Sequence, residues 1–413
     1  LKKGFQDEYG GVRLMTGLNR RHLLAGLGGS LLTGHALAQK RLSLPFENGE
    51  RALVRYPQKR PMIELTSRPP QLETPFSVYR EGVITPNDAF FVRYHLSSLP
   101  LDVDPATFRL AIGGHVDRPL SLSLEQLKRD FPTQEIVAVN QCSGNSRGFL
   151  DPRVGGGQLG NGAMGNARWR GVPLKALLDH AGVRAGAQQV SFNGLDVAPA
   201  DTIPDFIKAL GVDHARDGEV LVAWGMNGAD LPFLNGYPLR LVVPGYFGTY
   251  WIKHLHEINV LDANYDGYWM KTAYRIPDND CACVEPGGRP DKTKPIERFN
   301  VRSFVTSHAD GDRLRAGRPV ELRGIAFDGG SGIAGVAVST DDGRSWQEAR
   351  LGEDLGRYSF REWRLPVTLA QGVQRVKVRA TSRAGEVQPL EPRWQPAGYM
   401  RNVVETITVR AVA

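Results

Sequence analysis

Cysteine is scarce: Cys142, Cys281 and Cys283 are the three in 413 residues, which excludes a disulfide-built scaffold. No Cys-x-x-Cys-His occurs, so this chain carries no covalent c-type haem, and no Cys and His pairs stand at zinc-site spacing. The odd count leaves at least one thiol free. Cys281 and Cys283 are one residue apart. A disulfide there would close a very small, strained ring, so the pair is read as structural or incidental and is assigned no metal. Long basic runs are also missing. The net charge is +7, and residues 1–38 hold five bases against two acids, which leaves +4 for the rest. That balance excludes a nucleic-acid binder. No apolar run is long enough for a permanent membrane anchor.

The length suits two domains plus a leader. Residues 15–38 (MTGLNRRHLLAGLGGSLLTGHALA) have the secretory layout: paired Arg20-Arg21, a Gly-rich apolar run from Leu23 to Leu32, and Ala36-Leu37-Ala38 before Gln39. The twin arginines predict a Tat signal over 1–38 and hence export, already folded, to the periplasm. An ordinary Sec leader or a basic amphipathic helix is the alternative. Initiation is at Leu1 or at Met15.

Residues 39–75 read as an arm with little periodicity. The body, 76–295, mixes short strands (Phe90 to His95, Leu241 to Val243) with helices and reads as α+β. Ser123, with Gln126 three residues on, predicts a capping box opening a helix to Asp130. Leu174 to Ala181 predicts a second helix, stopped by Gly182. From about 300 to 413, short alternating runs separated by turns predict an immunoglobulin-like β-sandwich, with 286–297 as linker.

The chemistry concentrates in three segments: Ile84 to His95 (ITPNDAFFVRYH), Asn140 to Gly148 (NQCSGNSRG), and Asn235 through Arg240 and Gly245 to Lys253. Cys142 follows the strand-like run Glu135 to Val139 and enters a loop of small residues, where backbone approaches a bulky group closely. A soft thiolate suits a soft or high-valent metal, and Arg147 supplies a permanent planar cation for an oxyanion. Taken alone, Cys142 is equally a buried apolar side chain, Arg93 a strand ion pair and Tyr274 a core tyrosine. His254 and His256 read as strand or core histidines.

Together these stretches resemble the sulfite oxidase family of molybdenum enzymes, most closely its bacterial members that pass electrons to cytochrome c. TPNDAFFVRYHL resembles the family's first motif and QCSGNSRG its molybdenum-cysteine loop. Gly194-Leu195-Asp196, Tyr237 to Gly245 (YPLRLVVPG) and Trp251-Ile252-Lys253 resemble its pterin-binding stretches. The resemblance implies a molybdopterin domain followed by a dimerisation sandwich, with Cys142 as the thiolate ligand of a molybdenum-pterin cofactor. Phe91, Val92, Arg93, Tyr94, His95, Asp196, Asn235, Arg240, Trp251, Ile252 and Lys253 would hold the pterin and its phosphate, and Arg93, Arg147 and Tyr274 would surround the substrate. It further implies oxidation of sulfite, a c-type cytochrome as acceptor and a homodimer through the sandwich. A sulfane dehydrogenase subunit is the second reading, ranked lower because the cysteine loop reads CSGNS and not CGGNS; a non-catalytic periplasmic oxyanion-binding protein is the third. The chain departs from animal members in four places. No His-Pro-Gly-Gly cytochrome b5 motif occurs, Tyr94 replaces an asparagine, a tryptophan is replaced around Leu159, and an arginine is missing from Asp328 to Gly332.

Overall fold

A computed structural model describes residues 41–43 and 49–413; the proposed leader lies outside the described residues. The stretch 39–75, expected as an arm, instead supplies Arg41–Ser43, Glu50–Val54, Met62–Ser67 and Pro70–Glu73 to an antiparallel sheet that Val92–Arg93 completes. Met62 and Ile63 are both buried, so the strand they open lacks the period-two alternation that marks a strand in sequence. Of the expected strand Phe90 to His95, only Val92–Arg93 pairs; Asn87–Ala89 is a 3-10 turn.

Two further sheets build the body. One runs in the order Lys208–Gly211, Gln189–Gly194, Leu255–Leu261, Leu110–Gly114, Leu120–Leu122, with a parallel pair at Leu255–Leu261 and Leu110–Gly114. The other runs Ala229–Asp230, Leu221–Met226, Met164–Pro173, Gln134–Gln141, and Arg240–Val242 joins it on Leu221–Met226. Leu221–Met226 is buried at every position and central in its sheet.

Both predicted helices form. Ser123 Oγ accepts from Gln126 N at 3.1 Å and Ser123 N donates to Gln126 Oε1 at 2.9 Å, the reciprocal cap of Leu124–Asp130. Leu174–Ala181 buries Leu174, Leu177, Leu178 and Ala181, one face at helical spacing. It ends on Gly182, whose φ of +74° and closeness to the Asp117 carboxylate leave no room for a side chain.

The C-terminal part is a sandwich of a four-stranded and a five-stranded sheet, from Arg302–Val305 to Glu405–Val412. Its core holds Leu322, Val336, Val338, Trp363, Val376 and Val378. The short strands Gln347–Glu348 and Arg350–Leu351 pass from one sheet to the other, the first pairing with Ile333–Ser339 and the second with Arg361–Thr368. Cys281 and Cys283, expected to avoid so small a ring, are joined as a disulfide. Ala282 between them takes φ +49°, which folds the chain back on itself, and Asn279 Oδ1 receives Cys283 N.

Replacing Ser123 by Ala removes one half of the capping box and is expected to cost about 1 kcal/mol in denaturant unfolding, with catalytic constants unchanged.

Candidate active site

The cysteine loop is fixed by its backbone. After the strand Gln134–Gln141, Cys142 N donates to Ala163 O at 2.9 Å, Ser146 N to Gly160 O at 2.7 Å and Gly148 N to Leu159 O at 2.9 Å. The loop therefore lies along residues 159–163. That segment is held in turn by Glu73, whose buried carboxyl accepts from Gly160 N at 2.8 Å and from Gly162 N at 3.3 Å. Burial pushes this carboxyl up to about 7, against the pull of those two amides. Gly144 is required, since a Cβ there would sit 2.8 Å from the Arg147 guanidinium. Cys142 itself is a free, buried thiol.

Cys142 forms one wall of a cleft shared with Arg93, His95, Tyr274, Asn235, Arg240 and Lys253 among others. At one end, His95 Nε2 is hydrogen-bonded to the Tyr274 hydroxyl, and the imidazole stacks on Phe206 with ring centroids 3.6 Å apart. Burial first, then Arg93, Lys253 and Lys208, hold His95 well below the usual histidine range, so it is neutral. Burial holds the Tyr274 hydroxyl protonated. Arg93 donates to its neighbour's carbonyl, Tyr94 O, and keeps the rest of its guanidinium for the cleft.

At the other end the charge is positive and buried. Arg240 lies over the Trp169 and Trp251 rings at 5.4 and 5.7 Å, donates to Asn235 O at 2.9 Å and is pushed down to about 10 by burial. Lys253 Nζ lies over the Tyr94 ring at 4.4 Å. Burial, with Arg240 beside it, lowers Lys253 to about 7 in spite of the Asp196 carboxylate. Asn235 donates to Phe91 O at 3.0 Å and accepts from Lys59 Nζ at 2.6 Å.

The predicted residues divide by position. Phe91, Arg93, His95, Cys142, Asn235, Arg240, Lys253 and Tyr274 line the cleft. Arg147 does not: it donates to Ala397 O and Gly157 O and lies over the Tyr399 ring at 5.1 Å, and Tyr399 stacks on Tyr274 at 5.4 Å. Arg147 thus stands one ring behind Tyr274. Val92 packs in a small separate core with Met62 and Leu72. Tyr94 reaches His254 Nε2 at 2.7 Å, so His254 is a buried, hydrogen-bonded histidine as read. Asp196 balances Lys253 from outside the cleft lining. Trp251 supports Arg240 from below, and Ile252 acts through its carbonyl, which receives Leu241 N at 2.8 Å. Sequence reasoning passed over Lys59, Glu73, Asn140, Ser143, Thr249 and Tyr399. Pro57-Gln58-Lys59-Arg60 looks like a solvated turn, yet Lys59 Nζ is buried on three oxygens, Asn87 O, Phe90 O and Asn235 Oδ1.

Several buried polar atoms of the lining find no partner among the described residues: His95 Nδ1, both ends of the Asn140 amide, Ser143 Oγ, Arg240 Nε and Thr249 Oγ1. Buried polar groups are normally satisfied, so the cleft is shaped for a polar ligand, and its cations ask for an anionic one. Cys142 has no place in any cluster of His, Cys, Asp and Glu that could hold an ion among the described residues. A metal bound to it would have to bring its other ligands along. A phosphate-bearing molybdenum pterin would meet all three conditions: its phosphate would suit Arg240 and Lys253, its heterocycle would offer polar groups to unpartnered atoms, and its own sulfurs would complete the metal.

Two family models match the chain: an oxidoreductase molybdopterin binding domain over residues 96–269 and a Mo-co oxidoreductase dimerisation domain over residues 293–411. Rat mitochondrial sulfite oxidase is 32% identical over 398 residues, which span 92% of this chain and 71% of the rat protein. Sulfite oxidase of Arabidopsis thaliana is 27% identical over 395 residues, 89% of this chain and 98% of the plant protein. Among solved structures, the sulfane dehydrogenase SoxCD of Paracoccus pantotrophus shares the fold, with a TM-score of 0.69 over 94% of this chain and 96% of that one at 23% identity.

The lysine shift has a testable sign. Lys253 falls from its ordinary 10.5 to about 7 in the folded chain, so its ammonium is lost as pH rises through 7. Sulfate, whose own charge is constant over this range, is expected to bind the cofactor-free protein more weakly at pH 8.5 than at pH 6 by calorimetry. In Lys253→Arg that dependence is expected to weaken, because the guanidinium keeps its charge, while Lys59 and Lys208, also lowered to about 7 by burial, leave a residual slope.

Proposed function

The chain belongs to the sulfite oxidase family of molybdenum enzymes, and on that premise we propose that it oxidises sulfite to sulfate in the periplasm and delivers the electrons to a separate c-type cytochrome. One observation carries the reading: a free, buried thiol, Cys142, opens into a cleft that Arg93, Arg240 and Lys253 also line. The balance is sulfite plus water to sulfate, two protons and two electrons. The molybdenum cofactor, when bound, supplies the oxygen transfer and accepts the electron pair.

The chain's residues hold and orient. Cys142 ligates the metal. Arg93, with its guanidinium in the cleft, draws in the dianion and fixes its oxygens through charge-assisted hydrogen bonds. Tyr274 keeps its proton and donates a neutral hydrogen bond, aimed by neutral His95. Arg147 acts through Tyr399, fixing the ring on which Tyr274 stacks. Stacked Phe206, Trp269 and His95 wall this end against water. For electron transfer a partner must come close. Exposed Tyr268, edge-on to Trp269 at 5.0 Å, lies at this same end. The twin-arginine leader supports the periplasmic assignment, and the match to a dimerisation domain supports pairing of two copies through the sandwich.

Steady-state assays with sulfite and with thiosulfate, using cytochrome c as acceptor, test the reading. Sulfite is expected to be the better substrate; a preference for thiosulfate would favour the sulfane reading. Arg93→Gln is expected to raise the KM for sulfite at least tenfold, about 1.4 kcal/mol of lost binding. An unchanged KM removes Arg93 from the substrate. Cys142→Ser is expected to abolish turnover while leaving the far-ultraviolet circular dichroism intact. Haem staining of the natively purified enzyme checks the cytochrome.

A further inference from the structure

Asn140 stands two residues before Cys142, at the end of Gln134–Gln141. It is fully buried and lines the cleft, yet neither Oδ1 nor Nδ2 has a partner among the described residues. Rotating the amide to exchange its two ends changes nothing, since both are unmet. The side chain lies against the turn Gly248–Tyr250: a Cβ on Gly248 would come within 2.4 Å of Oδ1. Thr249, on that turn, also lines the cleft with an unmet Oγ1.

A buried carboxamide with both ends unsatisfied costs on the order of 1–3 kcal/mol or more, so a ligand group is expected to meet it. The two ends select the ligand. Nδ2 needs an acceptor and Oδ1 needs a donor. Sulfite and sulfate dianions offer acceptors only, and would leave Oδ1 unmet. A fused pyrimidinone carries N–H and C=O groups side by side and meets both. We propose that the Asn140 amide, with the Thr249 hydroxyl beside it, hydrogen-bonds the heterocycle of the pterin and serves to retain the cofactor, not to bind the substrate. This rests on the molybdenum-pterin reading of the site.

The test uses the purified holoenzyme, with molybdenum and released pterin measured per chain, the rate of pterin loss on dialysis, and the KM for sulfite of the loaded fraction. Wild-type protein without pterin would overturn the cofactor reading itself, before any variant is made. With wild type loaded, Asn140→Leu is expected to lose pterin about tenfold faster, the factor carried by ~1.4 kcal/mol, with the KM for sulfite unchanged. Thr249→Val is expected to show a smaller change in the same direction. A raised KM with unaltered retention would place the amide on the substrate and overturn the proposal. No change in either quantity would mean that buried water satisfies the amide, and would overturn it too. Should Asn140→Leu fail to fold, Asn140→Asp keeps the shape and removes the donor; wild-type retention in that variant would also refute the assignment.

Discussion

Buried positive charge without matching negative charge is the constraint from which the rest follows. Lys59 and Arg240 are buried and Lys253 lies half-buried beside Arg240; Asp196 is the carboxylate that offsets Lys253 and Asp88 the one that offsets Lys59. Removing a cation from water costs several kcal/mol unless an anion meets it. The protein meets the cost locally with ring faces under Arg240 and Lys253 and with carbonyl oxygens around Lys59. Burial, reinforced by Arg93, Lys253 and Lys208, keeps His95 neutral, which lets it share a hydrogen bond with Tyr274 without adding another charge. An anionic ligand then completes the set, and the arrangement selects for one.

The second requirement is a rigid thiol, and three parts of the chain supply it. The N-terminal sheet contributes Glu73, which holds the segment opposite the cysteine loop. The body contributes the strand that ends at Gln141. The sandwich contributes Arg302, whose buried guanidinium donates to Ser146 Oγ at 3.0 Å and pairs with Glu405 at 2.7 Å. Arg302 therefore ties the loop to the last strand of the chain. Tyr399 and Ala397, also from the C-terminal part, fix Tyr274 and Arg147. The sandwich is thus part of the site's frame, and its dimerising role, where present, comes in addition.

How much was legible in the sequence follows from which forces leave a local signature. The two helices were readable because capping and 3.6-residue periodicity are short-range, as Ser123/Gln126 and Leu174/Leu177/Leu178/Ala181 show. The sandwich strands were readable from alternation, and Arg361–Thr368 alternates inward and outward as expected. The N-terminal sheet was not, because its strands are short and Met62–Ser67 does not alternate. Cys142, Arg93, Arg240 and Lys253 were found through motif resemblance, whereas Lys59, Asn140 and Glu73 act through partners 28 to 176 residues away or through the lack of a partner, and neither leaves a pattern along the chain. Arg147 was placed beside the substrate through the resemblance; in the structure it follows the left-handed Ser146, with φ +71°, and its guanidinium lies over the Tyr399 ring.

The proposed export of a folded, loaded protein follows from the same charge argument. Anything that binds the folded state and not the unfolded one stabilises it by mass action. The cleft is lined by cations and by amide and hydroxyl groups without partners among the described residues, so a polar anionic ligand contributes more to stability than one entering a satisfied pocket. Lys253, near 7, takes up a proton as an anion enters, which couples loading to pH. A chain built this way gains its full stability only when cofactor and fold are formed together. An export route that accepts folded proteins, as we propose from the twin-arginine leader, fits that order of events.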